Sequence, residues 1–83
     1  MCDDTIIIQV CLNDIPNVHA FCNICSKTDC EIDVKSGRYT IDGKSIMGLF
    51  SLDLSKTLNV HIRAVNQSEA VALSDELKTR FGI

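Results

Sequence analysis

Three thiols and an imidazole lie close together in the N-terminal half of the chain, as His19-x-x-Cys22-x-x-Cys25 with Cys30 beyond them. Imidazole and thiolate are the donors that zinc and iron–sulfur clusters select. Two cysteines three apart on a helix share a face, and a histidine one turn earlier is within reach. A Cys-x-x-Cys pair is also the arrangement of thiol redox centres, which work at helix N-termini where the local field lowers the thiol pKa. Phosphoryl chemistry has candidates of its own. His19 is a nitrogen nucleophile, Asp14 a carboxylate just ahead of an apolar-periodic stretch, and Ser45 a hydroxyl ahead of another.

The elements that carry these groups follow from hydrophobic period. In residues 5–12, Ile6, Ile8, Val10 and Leu12 fall on one side, the pattern of a strand with one apolar face. Asn13-Asp14 is a helix-start signal, and Pro16 is tolerated in the first turn because no amide proton is required there. At 100° per residue, Ile15, Val18, Phe21, Cys22, Ile24 and Cys25 share an arc over 15–27, with Pro16, His19, Ala20, Asn23 and Lys27 opposite. This places Cys22 and Cys25 mid-helix and turned toward a sheet, so core packing is favoured over metal or redox chemistry. A hairpin follows: Ile32 and Val34 alternate with charged residues, Ser36-Gly37 turns the chain, and Tyr39 and Ile41 return inward. Ser45 caps a short helix from Ile46 to about Leu52. Leu58, Val60, Ile62 and Ala64 mark a fourth strand, on which His61 points outward with Asn59 and Arg63. Asn66 with Glu69 resembles a capping box, opening a last helix with Ala70, Leu73, Leu77 and Phe81 inward. The order is β-α-β-β-α-β-α, a two-layer α+β sandwich with split βαβ connections.

Size and composition limit what such a sandwich does. A chain of 83 residues is one domain, and 46% apolar residues suffice for a core that buries about 63% of the unfolded surface. Self-contained enzyme folds of the barrel or dinucleotide-binding kind are excluded by length. A formal net charge of −3 with no clustered basic face argues against a phosphate-backbone ligand, and the strands nearly lack the aromatics that stack on RNA. The longest apolar run, Ile6-Ile7-Ile8, is far short of a membrane span, and the start Met-Cys-Asp-Asp is acidic where a secretion signal is basic. The expected location is therefore cytoplasmic, where five cysteines, an odd number, are free thiols rather than a disulfide framework. No cofactor and no metal are expected.

The stretch Lys44-Ser45-Ile46-Met47-Gly48-Leu49-Phe50-Ser51-Leu52 closely resembles the regulatory-serine segment of HPr, the phosphocarrier of the bacterial sugar phosphotransferase system, whose Gram-positive members carry Lys-Ser-Ile-Met-Gly. The resemblance continues ungapped upstream through 26–43; downstream it runs through the fourth strand, and the last helix fits after a short deletion. It implies an open-faced sandwich, with a four-stranded antiparallel sheet and three helices on one face. In that family, Gly-Ile/Leu-His-Ala-Arg-Pro-Ala opens the first helix and its histidine carries phosphate. The ungapped register puts Asp14 in the histidine's place and Pro16 in the arginine's. A rival register laying Val18-His19-Ala20 on the motif needs a five-residue deletion within the helix, and still finds Phe21 and Cys22 where Arg and Pro belong.

The expectation is a non-catalytic regulatory or adaptor paralogue, similar in pattern to the catabolite-repression HPr. Ser45 would be phosphorylated by an HPr-type serine kinase, and an apolar patch of Ile46, Met47 and Phe50 would dock a transcriptional regulator or phosphotransferase-system component. Capping alone would explain a serine at 45, but not the apolar residues that follow it. A carrier using His19, or an ACT-like small-molecule-binding module, are the alternatives.

Overall fold

A computed structural model describes residues 5–64 and 66–82. Along the chain lie β1 (Ile6–Val10), α1 (Ile15–Ser26), β2 (Glu31–Ser36), β3 (Tyr39–Asp42), α2 (Ile46–Phe50), β4 (Leu58–Arg63) and α3 (Gln67–Phe81). The sheet order is β1-β4-β2-β3 with every neighbouring pair antiparallel. In each βαβ unit the returning strand leaves a gap that a third strand fills: β4 lies between β1 and β2, and β2 between β3 and β4. The expected element order, α+β class and single open sheet with three helices are those of the structure.

Register explains why one face is apolar. Ile8 and Val34 both stand opposite Val60, Val10 stands opposite Leu58, Ile32 opposite Ile62, and Val34 opposite Ile41. With a side-chain period of two, these residues all emerge on the side covered by helices. They form one core with Val18, Phe21, Cys22 and Cys25 of α1, Leu49 of α2, and Ala70, Leu73, Leu77 and Phe81 of α3. Phe21 and Phe81 meet edge to face with centroids 5.8 Å apart, joining the two long helices over the sheet. Removing each large side chain of this core from water contributes about 1.5–3 kcal/mol.

Four local expectations are corrected. Tyr39 is 67% exposed rather than inward, because β3 is an edge strand and α2 closes over it only near Ile41. Ile15 is 57% exposed: burial on α1 begins at Val18, so the first turn stands clear of the core. The hairpin turn is Gly37-Arg38, one residue later than expected, with Ser36 paired to Tyr39. Gly37 takes φ +60 at the first central position, a conformation that side chains resist and that a two-residue hairpin of this kind requires. Finally, Asn66 caps α3 by accepting from the Ser68 amide, but Glu69 does not complete a box. Its carboxylate accepts instead from the Thr28 hydroxyl at 3.1 Å, tying α3 to the loop after α1. Cys2 and the acidic start lie outside the described residues.

Candidate functional site

The approach to α1 is held by backbone hydrogen bonds. Asn13 adopts φ 68, with its amide donating to the Leu54 carbonyl at 2.9 Å and the next amide, of Asp14, to Leu12 at 2.8 Å. The Asn17 side-chain amide donates to the same Leu12 carbonyl. This sharp entry leaves Asp14 extended at φ −146 as the N-cap of α1, with its carboxylate accepting from the Asn17 amide at 3.1 Å. A left-handed residue at position 13 is tolerable because Asn is among the few side chains that visit that region.

His19 is the fifth residue of α1 and is exposed. Helix amides beyond the first four are engaged in the ladder, so no cradle of free N–H groups lies beneath this imidazole. Its ring instead meets Phe50 of α2 edge-on, centroids 5.6 Å apart at 70°. Asp14, not His19, occupies the mouth of the helix. No basic side chain is present in its first turn: residues 15–18 are Ile, Pro, Asn and Val.

The approach to α2 is built more heavily. The Asp42 carboxylate accepts from the Lys44 amide at 2.9 Å, and the Asp42 carbonyl from the Ser45 amide at 2.9 Å. The Lys44 ammonium reaches back to the Thr28 carbonyl at 2.8 Å, and the Cys22 thiol donates to the Lys44 carbonyl at 3.5 Å. Ser45 then caps α2, its hydroxyl oxygen accepting from the Gly48 amide at 3.3 Å and its carbonyl from the Leu49 amide at 3.0 Å. Ser45 itself is exposed.

Gly48 sets how close α2 comes to the sheet. A Cβ at this position would stand 2.5 Å from Ile41 Cγ2 and 3.2 Å from Ser45 Oγ, so a side chain here would force α2 to lift or Ile41 to move. Spacing and periodicity alone do not single out Gly48, Lys44 or Asn17: Gly48 acts through an absence of side chain, Lys44 through the Thr28 carbonyl, and Asn17 through the Leu12 carbonyl at the turn into α1.

Of the patch residues, Met47 is 77% exposed and Phe50 38%, while Ile46 is half-buried against the core. Ile15 adds a fourth apolar group that the helical projection had assigned to the interior. It lies four residues before His19 on α1, and His19 contacts Phe50, so the surface runs from one helix to the other.

The thiols belong elsewhere. Cys22, Cys25 and Cys30 are buried and Cys11 half-buried, all unbridged. Among the described residues no group of three or more His, Cys, Asp or Glu is arranged to hold a metal ion. Burial, reinforced by neighbouring Cys22, pushes the Cys25 thiol up to about 12, which keeps it protonated and unreactive. His61 is half-buried on the outer sheet face, opposite Ile7 and Asp33. The Asp53 carboxylate is held below its usual range by the Ser55 hydroxyl and amide, at 2.6 and 3.1 Å.

Comparison with known proteins gives these features a family context. The family model described as the PTS HPr component phosphorylation site matches residues 17–79, a span holding His19, Ser45 and Gly48 but not Asp14. HPr-C-His from Thermoanaerobacter tengcongensis is similar in structure with a TM-score of 0.71 at 25% identity, covering 95% of this chain and 96% of that one. The phosphocarrier protein HPr from Bacillus anthracis str. Ames has a TM-score of 0.67 at 20% identity over 88% of this chain and 94% of its own. No curated protein matches the sequence. No described helix is long and apolar enough to cross a membrane. The family match spans most of the chain and the order of strands and helices agrees with it: the protein belongs to the PTS HPr family.

Proposed function

We propose that this member of the family works as a regulatory adaptor controlled by phosphorylation at Ser45, and does not relay phosphoryl groups through a histidine. The observation that carries the reading is the mouth of α1. A carboxylate, Asp14, is the N-cap there, followed by Ile15 and Pro16, while the imidazole of His19 sits a turn further along against Phe50. A phosphoryl group on His19 would lack both a guanidinium partner and free helix amides, the two features that hold an anion at such a place.

The surface around α2 has what an adaptor needs. Ser45 is accessible, its hydroxyl making one capping bond among the described residues, and Met47 and Phe50 expose apolar area beside it. Phosphorylation adds nearly two negative charges to that face. It would turn away acidic or apolar partners and recruit basic ones without unfolding the domain. The partners in this reading are an HPr-type serine kinase and either a transcriptional regulator or a phosphotransferase-system component. The setting is the cytoplasm, and the protein performs no catalysis of its own. An ACT-like module draws no support from the family match.

Incubation with an HPr-type serine kinase and ATP, followed by intact mass, tests the assignment. One added phosphate on the wild type and none on Ser45→Ala is expected. A wild type that stays unmodified while an HPr control is phosphorylated removes the proposal.

A further inference from the structure

The end of α2 away from Ser45 borders a concave surface, of about 460 Å³, between the β2–β3 turn and the loop leading into β4. We propose that this groove binds a small phosphorylated metabolite, with Arg38 and Lys56 holding the phosphate monoester and the Tyr39 ring lying against a sugar or base.

Charge is the first argument. Of the three arginines, Arg63 pairs with Glu31 at 3.1 Å and Arg80 with Glu76 at 3.6 Å, whereas Arg38 has no carboxylate partner among the described residues. Lys56 likewise forms no ion pair among them. The one acid in the lining, Asp53, is turned onto its own loop, where it accepts from the Ser55 hydroxyl and amide. A chain of net charge −3 thus places the unpaired Arg38 beside the Lys56 ammonium on one small concavity, with Lys56 also in the field of the Asp53 carboxylate. A guanidinium fork and an ammonium point charge together are a phosphate-recognition pair.

Placement is the second argument. Gly37 at φ +60 makes the tight turn that carries Arg38, and Tyr39 follows as the first residue of the edge strand. The Tyr39 ring is 67% exposed and its hydroxyl makes no hydrogen bond among the described residues. The Ser36 and Thr57 hydroxyls also line the groove and make no hydrogen bond there. The volume exceeds that of a lone phosphate ion and falls in the range of small-ligand pockets, roughly 300–1,000 Å³. An aromatic face beside two cations suits a ring-bearing monoester better than a bare anion.

An amide-resolved NMR titration of the full chain tests this. The probes are adenosine monophosphate and a hexose monophosphate, with adenosine, inorganic phosphate and an oligoglutamate peptide as comparisons. Saturable shifts are expected at Gly37, Arg38, Tyr39, Lys56 and Thr57 with one or both monophosphates, with Kd on the order of 1 mM. The tighter of the two identifies the ring. Arg38→Gln and Lys56→Gln should each weaken binding about tenfold while the remaining spectrum stays that of the folded domain. Tyr39→Ala should abolish the advantage over inorganic phosphate. Absence of saturable shifts, or binding unchanged in both charge variants, overturns the proposal. So does inorganic phosphate binding as tightly as either monophosphate, which marks an adventitious anion, or oligoglutamate binding tighter than both, which marks an acidic peptide surface.

Discussion

Replacing Gly48 by alanine probes the contact that seats the serine-bearing helix on the sheet. Two effects of known size oppose each other. Alanine in a helix interior is favoured over glycine by about 0.8–1.0 kcal/mol. Its methyl carbon, however, would stand 2.5 Å from Ile41 Cγ2, well inside contact distance, and 3.2 Å from the Ser45 hydroxyl oxygen. Overpacking of this kind costs about 1–3 kcal/mol, since either α2 lifts or Ile41 leaves its rotamer. The clash therefore outweighs the propensity gain, and Gly48→Ala should destabilise by about 1 kcal/mol, a fall in Tm of about 4–8 °C for a domain of this size. The obstructing atom is the branch methyl on Cβ of Ile41, which leucine lacks. Gly48→Ala combined with Ile41→Leu should recover most of the loss, although Ile41→Leu alone gains nothing. Urea unfolding of the four chains measures the cycle. If Gly48→Ala equals or exceeds wild-type stability, or if Ile41→Leu fails to rescue it, the close approach of α2 to β3 does not govern the site.

Three further outcomes are expected. Asp14→Ala should cost about 1 kcal/mol by freeing the Asn17 amide, whereas Asp14→Asn, also a good cap, should stay within a few tenths; equal losses in chemical unfolding would mean the carboxylate is not acting as a cap. Burial raises the Cys25 thiol from 9.0 to about 12, so from pH 9 upward the unfolded chain gives up a proton that the folded one retains. Its stability contribution is complete below pH 9 and is lost as pH climbs toward 12, by at most about 1.4 kcal/mol per pH unit. Unfolding measured from about pH 9 to about pH 11 should show a shallower decline for Cys25→Ala than for wild type, and identical slopes would refute the assignment. Ser45→Ala should lose about 1 kcal/mol of capping yet keep the fold; a thermal scan showing an unfolded variant would mean that the kinase experiment needs the milder Ser45→Asn control and that the cap matters more than its single hydrogen bond implies.

Much of this architecture was legible because its determinants are local. The alternation of Ile6, Ile8 and Val10, and of Leu58, Val60 and Ile62, assigns a face to each strand whatever its neighbours are. Asp14, Ser45 and Asn66 announced their helices because capping uses only amides two or three residues ahead. What escaped depends on contacts far apart in sequence. Tyr39 has the right parity to face inward but lies where no helix reaches, and Ile15 has the right angle on its helix but stands before the core begins. Glu69 fits a capping box by spacing, yet Thr28 supplies a competing donor from another loop. Gly48 is informative only once Ile41 is known to lie beneath it. At the site, then, the caps could be read from the chain, whereas the way Lys44, Cys22 and Gly48 fix the peptide around Ser45 could not.

The most direct measurement is phosphoryl transfer from Enzyme I of a phosphotransferase system, charged with phosphoenolpyruvate, to the purified chain. Intact mass is read before and after mild acid treatment, with an HPr control in parallel. The control should gain an acid-labile phosphate and this chain none, because Asp14 holds the mouth of α1 and His19 lies beyond it against Phe50. An acid-labile phosphate that appears on the wild type and disappears in His19→Ala would contradict this expectation.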